Sequence, residues 1–135
     1  MPETLLHGAA LLATASLFGG MLWFAAGFAA FLFTALPVAD ARALIRKAFP
    51  PFYLVVIAGA TVGALLCVAV DPPSAGLLAL VALSTVPLRQ QLMPAINAAS
   101  DSGDRRRFAQ LHGLSVVATL AHIVIAAVVL LRLAH

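Results

Sequence analysis

Charge is what this sequence has least of. Only 10% of its 135 residues are Asp, Glu, Lys or Arg, and just five of those are acids. Soluble domains carry about 25% charged residues, so there is too little polar surface here for a chain facing water on every side. Cysteine is almost as rare: Cys67 is alone, which excludes an intrachain disulfide framework. Intrinsic disorder is excluded as well, because it needs low hydrophobicity and high charge. The segment Met1–His7 has no Lys or Arg, so the basic start of a signal peptide is missing and the first apolar run is expected to be retained.

What is abundant is apolar surface. Hydrophobic residues make up 63% of the chain and the mean hydropathy is +1.07, values that point to lipid as the solvent. A helix crossing a ~30 Å hydrocarbon core needs about 20 mostly apolar residues. Four stretches qualify, at about 5–35, 52–70, 76–94 and 109–133. The expected connections are 37–51, 71–76 and 98–107, punctuated by Pro50-Pro51 and by Asp71-Pro72-Pro73, because proline lacks an N–H and disfavours helix before it. The expected fold is a single all-α domain over 1–135, a polytopic membrane four-helix bundle.

The few charges set the orientation. Arg42, Arg46, Lys47, Arg89, Arg105, Arg106 and Arg107 fall at one end of these helices, and only Arg132 falls at the other. The positive-inside rule makes the first end cytoplasmic and puts both termini on the outer, periplasmic side of a bacterial inner membrane. The pI near 10.0 then reads as a topology signal suited to anionic head groups. Nucleic acid is not an expected partner; the Arg105–Arg107 triplet beside a membrane helix reads as a retention signal.

Packing surfaces are visible as small residues. Ala9, Ala13, Ser16, Gly20, Gly27 and Ala30 line the first helix, and Gly59, Ala60, Gly63 and Ala64 the second. Both sets read as bundle contacts or as the seam of a homo-oligomer, since small residues let backbones approach closely in lipid. Pro87 in the third helix predicts a kink that frees the Leu83 carbonyl, with Ser84 at hand to satisfy it.

Polar residues inside a bilayer are functional candidates. His112, Ser115, Thr119 and His122 fall within roughly an 80° sector of the fourth helix at 100° per residue. Two readings fit the stripe: hydrogen bonds across the bundle, or a ligand or proton role for His122. No cofactor is expected. Haem b is the alternative, but two histidines at one depth on different helices are lacking; His122 with Met21 is the pair at comparable depth, and a weak metal candidate. A second candidate set lies at the basic rim: Arg46, Tyr53, Arg89, Asn97 and Arg107. Arg89, close to the membrane, must snorkel or pair, with Asp40, Asp101 or Asp104 as its acid, or else serve an anion or head-group site.

Certain motifs also carry a resemblance. Phe31-Leu32-Phe33-Thr34-Ala35-Leu36-Pro37, Arg46-Lys47-Ala48-Phe49-Pro50-Pro51-Phe52-Tyr53, Pro94-Ala95-Ile96-Asn97 and Phe108-Ala109-Gln110-Leu111-His112-Gly113-Leu114-Ser115 resemble a bacterial family of unknown function related to transmembrane protein 205. The resemblance implies a four-helix multi-pass membrane protein with no established reaction. It marks Phe49, Tyr53, Arg89, Pro94, Asn97, Phe108, His112 and Ser115 as important without giving any of them a catalytic role. The expected function is therefore a non-enzymatic ligand-binding, transport or accessory-subunit bundle. The alternative is a haem-binding or redox-active protein using a histidine of the fourth helix.

Overall fold

A computed structural model describes residues 2–135. Among them, four helices are long and apolar enough to cross a membrane: α1 (Pro2–Ala35), α2 (Val38–Cys67), α3 (Pro72–Asp101) and α4 (Arg105–Ala134). The described residues contain no strand. Each helix packs against its chain-order neighbours, and α1 against α4 closes the ring.

The connections are shorter than expected. Leu36 is extended (φ −128°, ψ 156°), as a residue before proline should be, and α2 begins immediately after Pro37. The expected connection over 37–51 is thus mostly helix, and α2 runs straight through Pro50-Pro51. The two prolines remove the N–H groups that would bond the carbonyls of Arg46 and Lys47. Those residues are exposed at the basic end, where the freed carbonyls are open to hydration, which lowers the usual cost of interior proline. At the opposite end, Val70 and Asp71 N–H both bond the Cys67 carbonyl (3.1 and 2.8 Å). The last connection is Ser102-Gly103-Asp104. Gly103 has φ +72°, a left-handed conformation that favours glycine. Asp104 then caps α4 by accepting a bond from Arg107 N–H at 3.0 Å, which satisfies one of the orphan donors of the first turn.

Two helices contain π-turns, Trp23–Phe28 in α1 and Leu88–Leu92 in α3. The second follows Pro87, with Met93 N–H bonding the Leu88 carbonyl. Just after the proline, Leu88 N–H bonds the Thr85 carbonyl, and Ser84 is not used to satisfy Leu83. Its hydroxyl lies instead against the carbonyls of Leu80 (2.7 Å) and Val81 (3.3 Å).

The core is built from small and branched side chains: Ala10, Leu17 and Met21 of α1, Val56, Ala60 and Cys67 of α2, Leu78 and Val81 of α3, and Ile123, Ala126 and Val129 of α4. A Cβ added at Gly63 would come within 2.9 Å of Leu78 Cδ1, so glycine is what lets α2 and α3 approach there. For the α1 stripe, the reading as contacts within the bundle is corrected. Ala9, Ser16, Gly20 and Ala30 are exposed, and α1 turns Ala10, Thr14, Leu17 and Met21 inward instead. Small residues cost nothing on a lipid-facing surface, so their spacing alone did not identify the packed face. The outer surface is otherwise large and apolar: Leu12, Val55, Leu65 and Leu83 are about 70% exposed. In water such a surface would drive aggregation; in acyl chains it is already solvated.

Candidate functional site

Polar side chains are concentrated at three levels of the bundle. In its interior, α4 turns Ser115, His122 and Ala126 inward. Ser115 Oγ lies 3.3 Å from Tyr53 Oη on α2. His122 Nε2 lies 2.8 Å from Ser84 Oγ on α3. The Ser84 hydroxyl, which also lies 2.7 Å from the Leu80 carbonyl, is donor or acceptor to His122 according to the tautomer of the ring. Thr119, between them on α4, is half-buried. His112, expected on the same face, is exposed and stacks on Phe108 with ring centroids 5.5 Å apart. Four residues in one 80° sector therefore serve different surroundings: Ser115 and His122 tie α4 to two other helices, and His112 lies at the rim.

Next to the Tyr53–Ser115 contact is an aromatic cluster that the sequence reading did not assemble. Phe24 stacks on Phe52 at 3.9 Å and 6°, and meets Phe49 edge-on at 5.3 Å and 88°. Phe49 in turn lies 5.7 Å from Tyr53. The Trp23–Phe28 π-turn carries Phe24 of this cluster, so the distortion in α1 sits where its aromatic contacts are densest. The available signal was the crowding of Phe residues in both helices, which no single-helix periodicity captures.

The basic rim is only partly paired. Arg46 makes two parallel bonds to Asp101, each 2.7 Å, joining the start of α2 to the end of α3. Asp104 is occupied at the α4 cap. Arg89, expected to snorkel, to pair with Asp40, Asp101 or Asp104, or to serve an anion site, makes no ion pair among the described residues and aims Nε at the Pro50 carbonyl, 3.4 Å away. Asn97 is half-buried, while Arg107 contributes its backbone N–H to the cap and leaves its side chain exposed. Seven cations against three acids give this end a net charge of +4, and the other end, with Arg132, Glu3 and Asp71, carries −1.

That other end holds a site the sequence reading missed. Arg132 Nη2 and Nε meet the two oxygens of Asp71, each at 2.9 Å. Ser74 Oγ bonds the same carboxylate and also receives Arg132 Nε at 3.2 Å. The guanidinium and then the serine hydroxyl hold the Asp71 carboxyl below the usual carboxylate range, since both stabilise the charged form. Beside this clasp, His7 Nε2 reaches the Leu133 carbonyl at 2.7 Å, and His7, Val70, Asp71, Arg132 and Leu133 line an open recess of about 380 Å³. The signal was available: these are opposite charges at the same end of adjacent helices.

Among the described residues, no three His, Cys, Asp or Glu side chains come together as a metal-binding group. Met21 is packed in the core at 2% exposure. No buried side-chain N or O atom among the described residues lacks a hydrogen-bond partner.

Comparison with known proteins returns one family model, described as a domain of unknown function (DUF4149), matching residues 12–105. Neither the curated proteins nor the solved structures give a match.

Proposed function

The chain belongs to the DUF4149 family, a domain of unknown function, and from that premise we propose that it is a non-enzymatic bundle of the bacterial inner membrane. In this reading it carries a ligand or supports a larger membrane assembly, and does not convert a substrate. The observation that carries the reading is the use made of the interior polar groups. Tyr53, Ser115, Ser84 and His122 are engaged across helices, while Thr14 and Thr85 bond their own helices. These contacts join α4 to α2 and to α3, so the interior polar groups serve the packing of the ring. The haem alternative gains no such support, because His122 Nε2, the atom an iron would need, is already on Ser84.

The proposed orientation places the +4 end in the cytoplasm against anionic lipid and both termini outside, by the positive-inside rule. The exposed Ala9–Gly20 stripe of α1 is the surface on which a further subunit would lie closest. A relation to transmembrane protein 205 belongs to the same proposal. Of its supporting motifs, Pro94–Asn97 lies inside the matched residues and Leu111–Ser115 lies beyond them.

Cysteine labelling tests the orientation. In a Cys67→Ala background, Thr4→Cys should react with a membrane-impermeant maleimide in intact spheroplasts, and Ser102→Cys only after permeabilisation. The reverse pattern would overturn the orientation. Purified protein should also lack a Soret band, and a band lost in His122→Ala would replace the scaffold reading with the haem one.

A further inference from the structure

We propose that Arg89 forms a specific phosphate site for the head group of an anionic phospholipid, seated between α3 and α2 at Pro50. The unusual feature is a half-buried cation whose charge nothing in the bundle neutralises. Among the described residues, the ion pairs are Arg46–Asp101 and Arg132–Asp71, and Asp104 is taken up by the α4 cap. Arg89 has only the Pro50 carbonyl, which occupies Nε. Its two amino groups, with four N–H donors in a rigid fork, remain for a planar oxyanion edge.

Local structure explains why this side chain is held in place. Pro87 breaks the α-helical bonding, and the Leu88–Leu92 π-turn that follows contains Arg89. On the facing helix, Pro50 offers its carbonyl to Nε. The guanidinium is therefore tethered at one nitrogen while its two amino groups stay open, instead of snorkelling freely.

Depth selects the ligand. Arg89 lies about 25 Å along α3 from Pro72 at 1.5 Å per residue, near the edge of a ~30 Å hydrocarbon core. Lipid phosphates lie just beyond that edge. The exposed Arg105, Arg106 and Arg107 at the start of α4 add positive potential at the same end. They favour a net anionic head group over one carrying its own cation. Charge complementarity and depth thus agree on one occupant, the phosphodiester of a lipid such as phosphatidylglycerol.

This inference rests on the membrane-bundle reading but not on its sidedness. Lipid binding in detergent has no inside or outside, so failure here and failure of the labelling experiment are separate results. The test is native mass spectrometry of the full chain in detergent, titrated with phosphatidylglycerol, phosphatidylcholine or inorganic phosphate. Phosphatidylglycerol should be retained in preference to phosphatidylcholine. Arg89→Gln should weaken its retention roughly tenfold, the loss of one charged hydrogen-bonding group. Arg89→Lys, which keeps the charge and guards against misfolding, should fall between them because it lacks the fork. Arg106→Gln should cost less than about twofold, as expected for an exposed charge. Displacement of lipid by inorganic phosphate supports the same phosphate site with the free anion as its source. Equal losses in Arg89→Gln and Arg106→Gln would overturn the proposal in favour of diffuse attraction, as would equal retention of phosphatidylcholine.

Discussion

The contact between Ser84 and His122 makes a prediction whose sign is set by the geometry. The two atoms are 2.8 Å apart, and His122 is 8% exposed. Ser84 also keeps the Leu80 carbonyl at 2.7 Å, so it is satisfied without the histidine. The histidine is not satisfied without the serine. Ser84→Ala should therefore strand a buried ring nitrogen, at a cost of about 1–3 kcal/mol. His122→Leu removes that group and substitutes an apolar side chain, and should cost less. Combining the two should then restore stability relative to Ser84→Ala alone, with a coupling near 0.6 kcal/mol and at most about 1.7 kcal/mol, the range found for hydrogen bonds between membrane helices. The assay is a double-mutant cycle of equilibrium unfolding in bicelles, followed by steric trapping. Coupling below about 0.3 kcal/mol, the margin for simple additivity, would refute the reasoning. It would mean that His122 is not a tie between α3 and α4.

Further outcomes follow from other contacts. Gly63→Ala should destabilise by about 1–3 kcal/mol through overpacking, because the new Cβ falls 2.9 Å from the fully buried Leu78; combined with Leu78→Ala, the two losses should sum to less than their separate values. Gly20→Ala meets nothing within 4 Å and should be neutral or slightly stabilising by thermal melt. Asp71 is held below the ordinary carboxylate value by Arg132 and Ser74. Its contribution is thus present above the unfolded-state value of about 3.9 and is lost as pH falls through the folded value. Melting curves from neutral to acid pH should show that loss in the native chain, and Asp71→Asn should remove that part of the acid sensitivity. An unchanged acid profile would count against the clasp.

The number and order of the helices were legible because lipid-crossing length leaves a strong hydropathy signal; three of the four expected spans lie inside the observed helices, and the second, 52–70, overruns the end of α2 at Cys67 by three residues. The start of α2 was not legible. The rule that reads Pro50-Pro51 as a break assumes that the freed carbonyls are costly, and at the polar end of the bundle they are not. On α1 the small-residue stripe is not the face packed inside the bundle, since Ala and Gly are as acceptable against acyl chains as against a helix. The buried face carries Ala10, Thr14, Leu17 and Met21. Within the site, Ser115 and His122 were identifiable from their spacing on α4, but their partners were not. Ser84 looked like a local companion of Pro87, and Tyr53 like a rim residue. Pairing across helices depends on how each helix is rotated, and the π-turns alter that rotation without leaving a mark in hydropathy. Asp71 with Arg132 was not legible because a count of charges at each end registers residues singly and not as partners for one another.

The clasp of Asp71, Ser74 and Arg132 also bears on how the molecule is assembled. Its two sides are separated by 61 residues, and the neighbouring His7–Leu133 bond by 126. During synthesis α1, α2 and α3 can enter the membrane and pack while both of these contacts still lack a partner. The ring can close only when the end of α4 arrives, so the last-made turn fastens two segments that have been waiting for it. An intermediate stalled before that point would expose an uncompensated Asp71 and a His7 without its carbonyl, a chemical difference from the finished protein that a quality-control protease could read.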